Sequence, residues 1–131
     1  MSAKIIQTQN APAAIGPYSQ AIMAGGTLYS SGQLGIDPAT NALPEGIEAQ
    51  ARQSLQNIRA ILEEAGLSVS DVVKTVVFLK NMADFSAVNE IYAAFFGSHK
   101  PARSCVEVSQ LPKGGLIEIE VVARRGNDAG E

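Results

Sequence analysis

An α+β fold, a mixed sheet carrying two helices on one face, is predicted by three features of the sequence. Two stretches repeat apolar residues every three or four positions, a dense β-branched run lies between them, and alternating patterns stand at both ends. The resulting order is ββαβαββ. Nothing in the 131 residues reads as a linker, repeat or low-complexity tract, so residues 1–131 are expected to form one domain. A core of that size hides roughly two-thirds of the unfolded chain's surface.

Taken in order, residues 4–7 have short strand character before Asn10, Pro12, Gly16 and Pro17 interrupt it. Residues 20–24 and 27–30 predict two strands joined at Gly25-Gly26, a pair suited to the positive φ angles of a two-residue hairpin. Residues 31–44 hold so many turn formers, among them Gly32, Gly35, Pro38 and Pro44, that a surface loop is expected. From Ile47, the spacing of Ala51, Leu55, Ile58, Leu62 and Ala65 predicts an amphipathic helix, with Gly66 placed to cap it. The run VVKTVVFL over residues 72–79 predicts a central strand. Asp84 can cap a second helix with a buried stripe of Phe85, Val88, Ile91 or Tyr92, and Phe95, ending near Gly97. Residues 103–108 and 116–122 alternate as two last strands.

Alternation also sorts the side chains. Ile117, Ile119 and Val121 share a face that should be core, opposite Glu118, Glu120 and Val122. In the preceding strand Arg103, Cys105 and Glu107 share one side, expected to be the face away from the helices. There they are either wet or a polar lining where subunits meet.

Composition excludes several functions. No apolar stretch approaches the length of a membrane span, and the first residues do not resemble a secretory signal, so a cytoplasmic location and no membrane partner are expected. A formal charge of −3 with no basic stripe makes nucleic acid an unfavoured partner. Cys105 is the only cysteine and His99 the only histidine, so neither an intrachain disulfide nor a zinc cluster is available and no metal is expected. There is neither a phosphate-binding loop nor a dinucleotide fingerprint, hence no nucleotide cofactor is expected.

Arg103 offers a planar fork that can hold a carboxylate through two charge-assisted hydrogen bonds. It could equally pair with Glu107 or Glu118. Glu118 can take a proton from water or relay one to a leaving amine, or it can be a solvated strand residue. Cys105 reads as a packing residue, since a reactive thiol needs a depressed pKa. Tyr18, Gly32 and Asn89 have equally ordinary roles as turn or helix residues.

The segment from Pro101 through Ala102, Arg103, Ser104, Cys105, Val106, Glu107, Val108, Ser109 and Gln110 to Leu111, continued by Ile117-Glu118-Ile119-Glu120, resembles the C-terminal signature of the RidA/YjgF family. These are the reactive-intermediate deaminases also described as L-PSP endoribonucleases or translation inhibitors. Gly16-Pro17-Tyr18-Ser19-Gln20-Ala21, Ser31-Gly32-Gln33, the stretch from Gln50 to Asn57, and Val73-Lys74-Thr75 agree in the same order. The resemblance implies a chorismate-mutase-like fold and a homotrimer with its active sites between subunits. It implies hydrolysis of 2-imino acids or their enamine tautomers, such as 2-iminobutanoate, 2-iminopropanoate and 2-aminoacrylate, to 2-oxo acids and ammonia, without cofactor or metal. Alternatives are RNA cleavage with translation inhibition, or a non-catalytic trimer that binds small carboxylates. By matched position, Arg103 is expected to hold the substrate carboxylate and Glu118 the attacking water. The Cys105 segment is expected to position water or substrate through its backbone, and Tyr18, Ser31, Gly32 and Asn89 to complete the pocket. Lys100 stands where an aromatic residue often precedes the Pro-Ala-Arg run, and Asn41 where a turn glycine is common.

Overall fold

The computed structural model describes residues 3–126. Among them the elements are β1 (Lys4–Ile6), β2 (Ala21–Ala24), β3 (Thr27–Ser30), β4 (Gln33–Leu34), α1 (Ile47–Glu64), β5 (Val72–Leu79), α2 (Phe85–Phe96), β6 (Ala102–Glu107) and β7 (Ile117–Arg124). They form one mixed sheet in the order β1-β2-β3-β7-β5-β6, with β4 also on β7. Only β5 and β6 are parallel, and α2 makes the crossover that parallel neighbours require.

Local chemistry explains the elements. Gly25 and Gly26 both take positive φ, 58° and 84°, and close the β2–β3 hairpin as expected. Helix α1 ends in a Schellman arrangement: the Gly66 N–H donates to the Glu63 carbonyl and the Leu67 N–H to that of Leu62, while Gly66 adopts φ 77°. Asp84 stands at the N-terminal cap of α2 but makes no side-chain capping bond, because a 3₁₀ turn over Met82–Asp84 leads into the helix. Asn41 takes the left-handed conformation, φ 61°, that its turn requires.

Both helices lie on one face. Ala51, Leu55, Ile58, Ile61 and Leu62 of α1 and Val88, Tyr92 and Phe96 of α2 pack on Val72, Val77, Leu79, Ile117, Ile119, Val121 and Ala123. Each such large aliphatic contributes about 1.5–3 kcal/mol. The choice between Ile91 and Tyr92 resolves to Tyr92, with Ile91 only half-buried. On the opposite face Ile5, Tyr29 and Val106 remain exposed. Among the described residues no helix is long and apolar enough to cross a membrane.

The loop expected across residues 31–35 is corrected. Gln33 and Leu34 form β4, buried, and pair with Ile119 and Glu118 on the same edge of β7 that receives β3 further along. In the gap, the Val121 N–H donates to the Ser30 hydroxyl at 2.9 Å. The turn-forming glycines reflect crowding here. A Cβ on Gly35 would overlap the Gln50 carbonyl oxygen and lie 2.7 Å from Gln50 Cα, atoms of helix backbone that cannot step aside. Gly35→Ala should therefore lower unfolding free energy by about 1–3 kcal/mol, measured by chemical denaturation. An unchanged midpoint would contradict this close approach.

Candidate active site

Strand register decides where the candidate residues face. Thr75 pairs with both Arg103 and Val121, and Phe78 with both Val106 and Glu118. Paired residues share a face. Arg103, Cys105 and Glu107 accordingly lie on the helix side with the core, and Glu118 lies on the open side. The expectation that Arg103, Cys105 and Glu107 face away from the helices is corrected: alternation fixes relative sides within a strand, whereas the parallel register of β6 on β5 fixes which side is covered.

Arg103 sits on an edge strand and is held by one stripe of α2. Its Nη1 donates to Asn89 Oδ1 at 2.7 Å, and its guanidinium carbon stands 4.8 Å from the Tyr92 ring centroid and 5.5 Å from that of Phe85. Positions 85, 89 and 92 are spaced to line one helix face. Each ring contact contributes about 0.5–1 kcal/mol, and together they hold the fork flat with donors to spare. Tyr92 is itself fixed by a 2.8 Å hydrogen bond between its hydroxyl and that of Thr75. Burial raises the Tyr92 pKa, with the Thr75 bond and Arg103 opposing less strongly, so the phenol stays protonated. Neither carboxylate considered as an internal partner serves Arg103: Glu118 is across the sheet, and Glu107 accepts the Met82 N–H at 2.7 Å.

Cys105 is half-buried against the core beside Arg103. Burial pushes its thiol pKa up and the Arg103 charge only partly offsets this. A protonated thiol is no nucleophile. What Cys105 presents is the backbone of an edge strand.

Glu118 lines a cavity of about 270 Å³. Tyr18, Gly32, Pro112 and Lys113 line it together with Pro12, Ala13 and Ile15. Gly32 is required for the seat. A Cβ there would lie 2.7 Å from both Cδ and Oε2 of Glu118. Burial raises the Glu118 pKa and repulsion from Glu120 adds to it. Tyr18 stands largely exposed on a loop that Gln20 and Ser31 tie down. The Ser31 hydroxyl donates to the Ser19 carbonyl at 2.6 Å, and Gln20 Nε2 donates to the carbonyls of Thr8 and Pro12 at 3.1 and 2.7 Å. Ser31 thus spends its hydroxyl on the loop and does not line the Glu118 cavity.

The predicted residues fall into two groups, Arg103, Cys105 and Asn89 on the helix side and Tyr18, Gly32 and Glu118 on the open side, with Ser31 behind the second. Phe85, Tyr92 and Gln20 escaped the sequence reading. Phe85 and Tyr92 were assigned to the core, and the signal that could have shown more is their spacing around Asn89. His99, beyond the end of α2, is structural: its Nε2 donates to the Val72 carbonyl at 2.6 Å.

Fold and site together define a small α+β protein with an aromatic-backed arginine on one face of its sheet and a half-buried carboxyl group of raised pKa on the other. Residues 8–125 match the model of the family described as endoribonuclease L-PSP. The chain belongs to that family, the RidA/YjgF group. It is 56% identical over 125 residues to the 2-iminobutanoate/2-iminopropanoate deaminase of Salmonella typhimurium, covering 93% of this chain and 98% of that protein. Its counterpart in Escherichia coli K12 is 54% identical with the same coverage. Among solved structures, Escherichia coli TdcF with bound serine matches with a TM-score of 0.91 and 47% identity, over 94% of this chain and 99% of that one.

The raised Glu118 pKa makes a stability prediction. A carboxyl whose folded pKa exceeds its unfolded one binds more protons when folded, so its contribution is greatest at low pH and is lost as pH rises through the folded value. Glu118→Gln, uncharged at the same seat, should therefore melt higher than the parent at neutral pH, with the gap closing as pH falls into the ordinary glutamate range. A variant less stable than the parent at neutral pH would contradict the strained seat.

Proposed function

We propose that this protein hydrolyses 2-imino acids to 2-oxo acids and ammonia, at sites formed where Arg103 of one copy meets Glu118 of another in a homotrimer. The observation that carries the reading is the separation of these two groups on opposite faces of one sheet, each prepared for a different part of one reaction. The exposed apolar residues on the open face, Ile5, Tyr29 and Val106, support association through that face.

The chemistry follows from the two halves. Arg103 binds the substrate carboxylate in its free donors, which fixes the adjacent imine carbon. Tyr18 and Ile15 supply an apolar wall for a short side chain. Glu118 accepts a proton from a water as the water oxygen bonds to the carbon of the protonated imine, giving a carbinolamine. The proton then passes to the amine nitrogen, the carbon–nitrogen bond breaks, and ammonia leaves as the hydroxyl proton is lost and the carbonyl forms. Raising the pKa of this carboxyl strengthens it as the base that takes the water proton. No covalent intermediate is needed, in keeping with the protonated Cys105. The edge backbone beside Cys105 is free to orient the water. RNA cleavage is disfavoured by the net charge of −3, since phosphate contacts demand basic residues.

Freshly generated 2-iminobutanoate provides the test, with ammonia release as the readout. Arg103→Ala should chiefly raise KM, whereas Glu118→Gln should cut kcat by about 10²–10⁴ with KM little changed. The parent's rate should fall in acid through a pKa above the ordinary carboxylate range. Parent rates in both variants would overturn the assignment.

A further inference from the structure

Helix α1 carries polar residues where an amphipathic helix should carry apolar ones. Gln50, Ser54 and Asn57 lie on one face at helical spacing and are all buried, Ser54 and Asn57 completely. Their hydrogen bonds converge on the segment that leads from Gly32 into α1. Ser54 Oγ donates to the Gln33 carbonyl at 2.7 Å; Asn57 Nδ2 donates to the carbonyls of Leu34 and Ile36 at 3.0 and 2.9 Å. Gln50 Nε2 donates to the Pro44 carbonyl at 3.0 Å, and its Oε1 accepts the Leu116 N–H, the residue before β7, at 2.9 Å. Asn57 is oriented in turn by Gln53, whose Nε2 donates to its Oδ1 at 2.9 Å.

Burying three polar side chains is costly unless each is satisfied, and apolar residues here would stabilise the helix packing more simply. The segment they hold is a two-residue strand, too short to keep its own register. Its Leu34 pairs directly with Glu118, and Gly32, two residues earlier, lies against the Glu118 carboxyl. We infer that Asn57, with Ser54 and Gln50, is a positioning residue for Glu118, clamping β4 so that the Gly32 backbone walls in the carboxyl group. None of the three lines the Glu118 cavity. The inference rests on the hydrolytic reading only for its kinetic consequence; the clamp on the Glu118 carboxyl stands apart from it.

Asn57→Asp replaces the donating nitrogen with oxygen and sets it against the Leu34 and Ile36 carbonyls. Ser54→Ala removes one donor in a milder way, so that at least one folded variant is available. Titration of the Glu118 carboxyl by carbon NMR, assigned with Glu118→Gln, reads the seat directly. In both variants the pKa should fall towards the ordinary glutamate value, more in Asn57→Asp, as the walls open to water. With 2-iminobutanoate, kcat should drop on the order of 10-fold to 100-fold in Asn57→Asp while KM, governed by Arg103, stays within about twofold. Folded variants with a parental Glu118 pKa would overturn the inference. A shifted pKa in a protein whose parent form does not release ammonia would retain the clamp and remove the hydrolytic reading instead.

Discussion

The placement of the candidate site depends on one constraint, the shared register of β6, β5 and β7. Because Thr75 is the partner of both Arg103 and Val121, the arginine is tied to the helix side of the sheet. Because Phe78 is the partner of both Val106 and Glu118, the carboxyl group is tied to the other side. No side-chain rotation carries either through the sheet. One chain therefore presents the two groups on opposite faces, and on the proposed reading a site that uses both is completed by bringing two chains together.

The two half-sites are built in similar ways. Each helix uses one stripe of its surface to hold a candidate functional element as well as to pack against the sheet. From α2, Phe85, Asn89 and Tyr92 flatten and anchor the Arg103 guanidinium. From α1, Gln50, Ser54 and Asn57 hold the short strand that pairs beside Glu118. On the proposed reading, fixed donors and a half-buried carboxyl serve hydrolysis of a small acid through orientation and through a proton affinity raised before substrate arrives. On the Glu118 side, stability is conceded in the half-burial of its carboxyl group, whose pKa burial raises.

Much of this was legible in the residues. The Gly25-Gly26 hairpin, the helix ending at Gly66, the strand over residues 72–79 and the core side of β7 followed from local periodicity and turn chemistry. The signature around Arg103 and Glu118 pointed to the family. The missing parts were nonlocal. β4 was hidden because its strand character comes from pairing with β7 and from side chains of α1, not from its own glycine-rich sequence. The side of Arg103 was misread because alternation within β6 has no absolute sense until its parallel register on β5 is known. The hydrogen bond from the Ser31 hydroxyl to the Ser19 carbonyl, 12 residues back, is a further contact that local pattern does not announce.

The claim that one site is assembled from two copies is tested most directly by co-assembling Arg103→Ala with Glu118→Gln subunits and measuring ammonia release at substrate well below the KM of Arg103→Ala, where each variant alone is nearly inactive. In a mixed trimer some sites receive the intact arginine from one subunit and the intact glutamate from its neighbour. With equal and random mixing, about one-quarter of parental activity should return, provided the subunits are refolded or expressed together. Co-assembled subunits no more active than the separate variants would contradict the account and return both groups to a single chain.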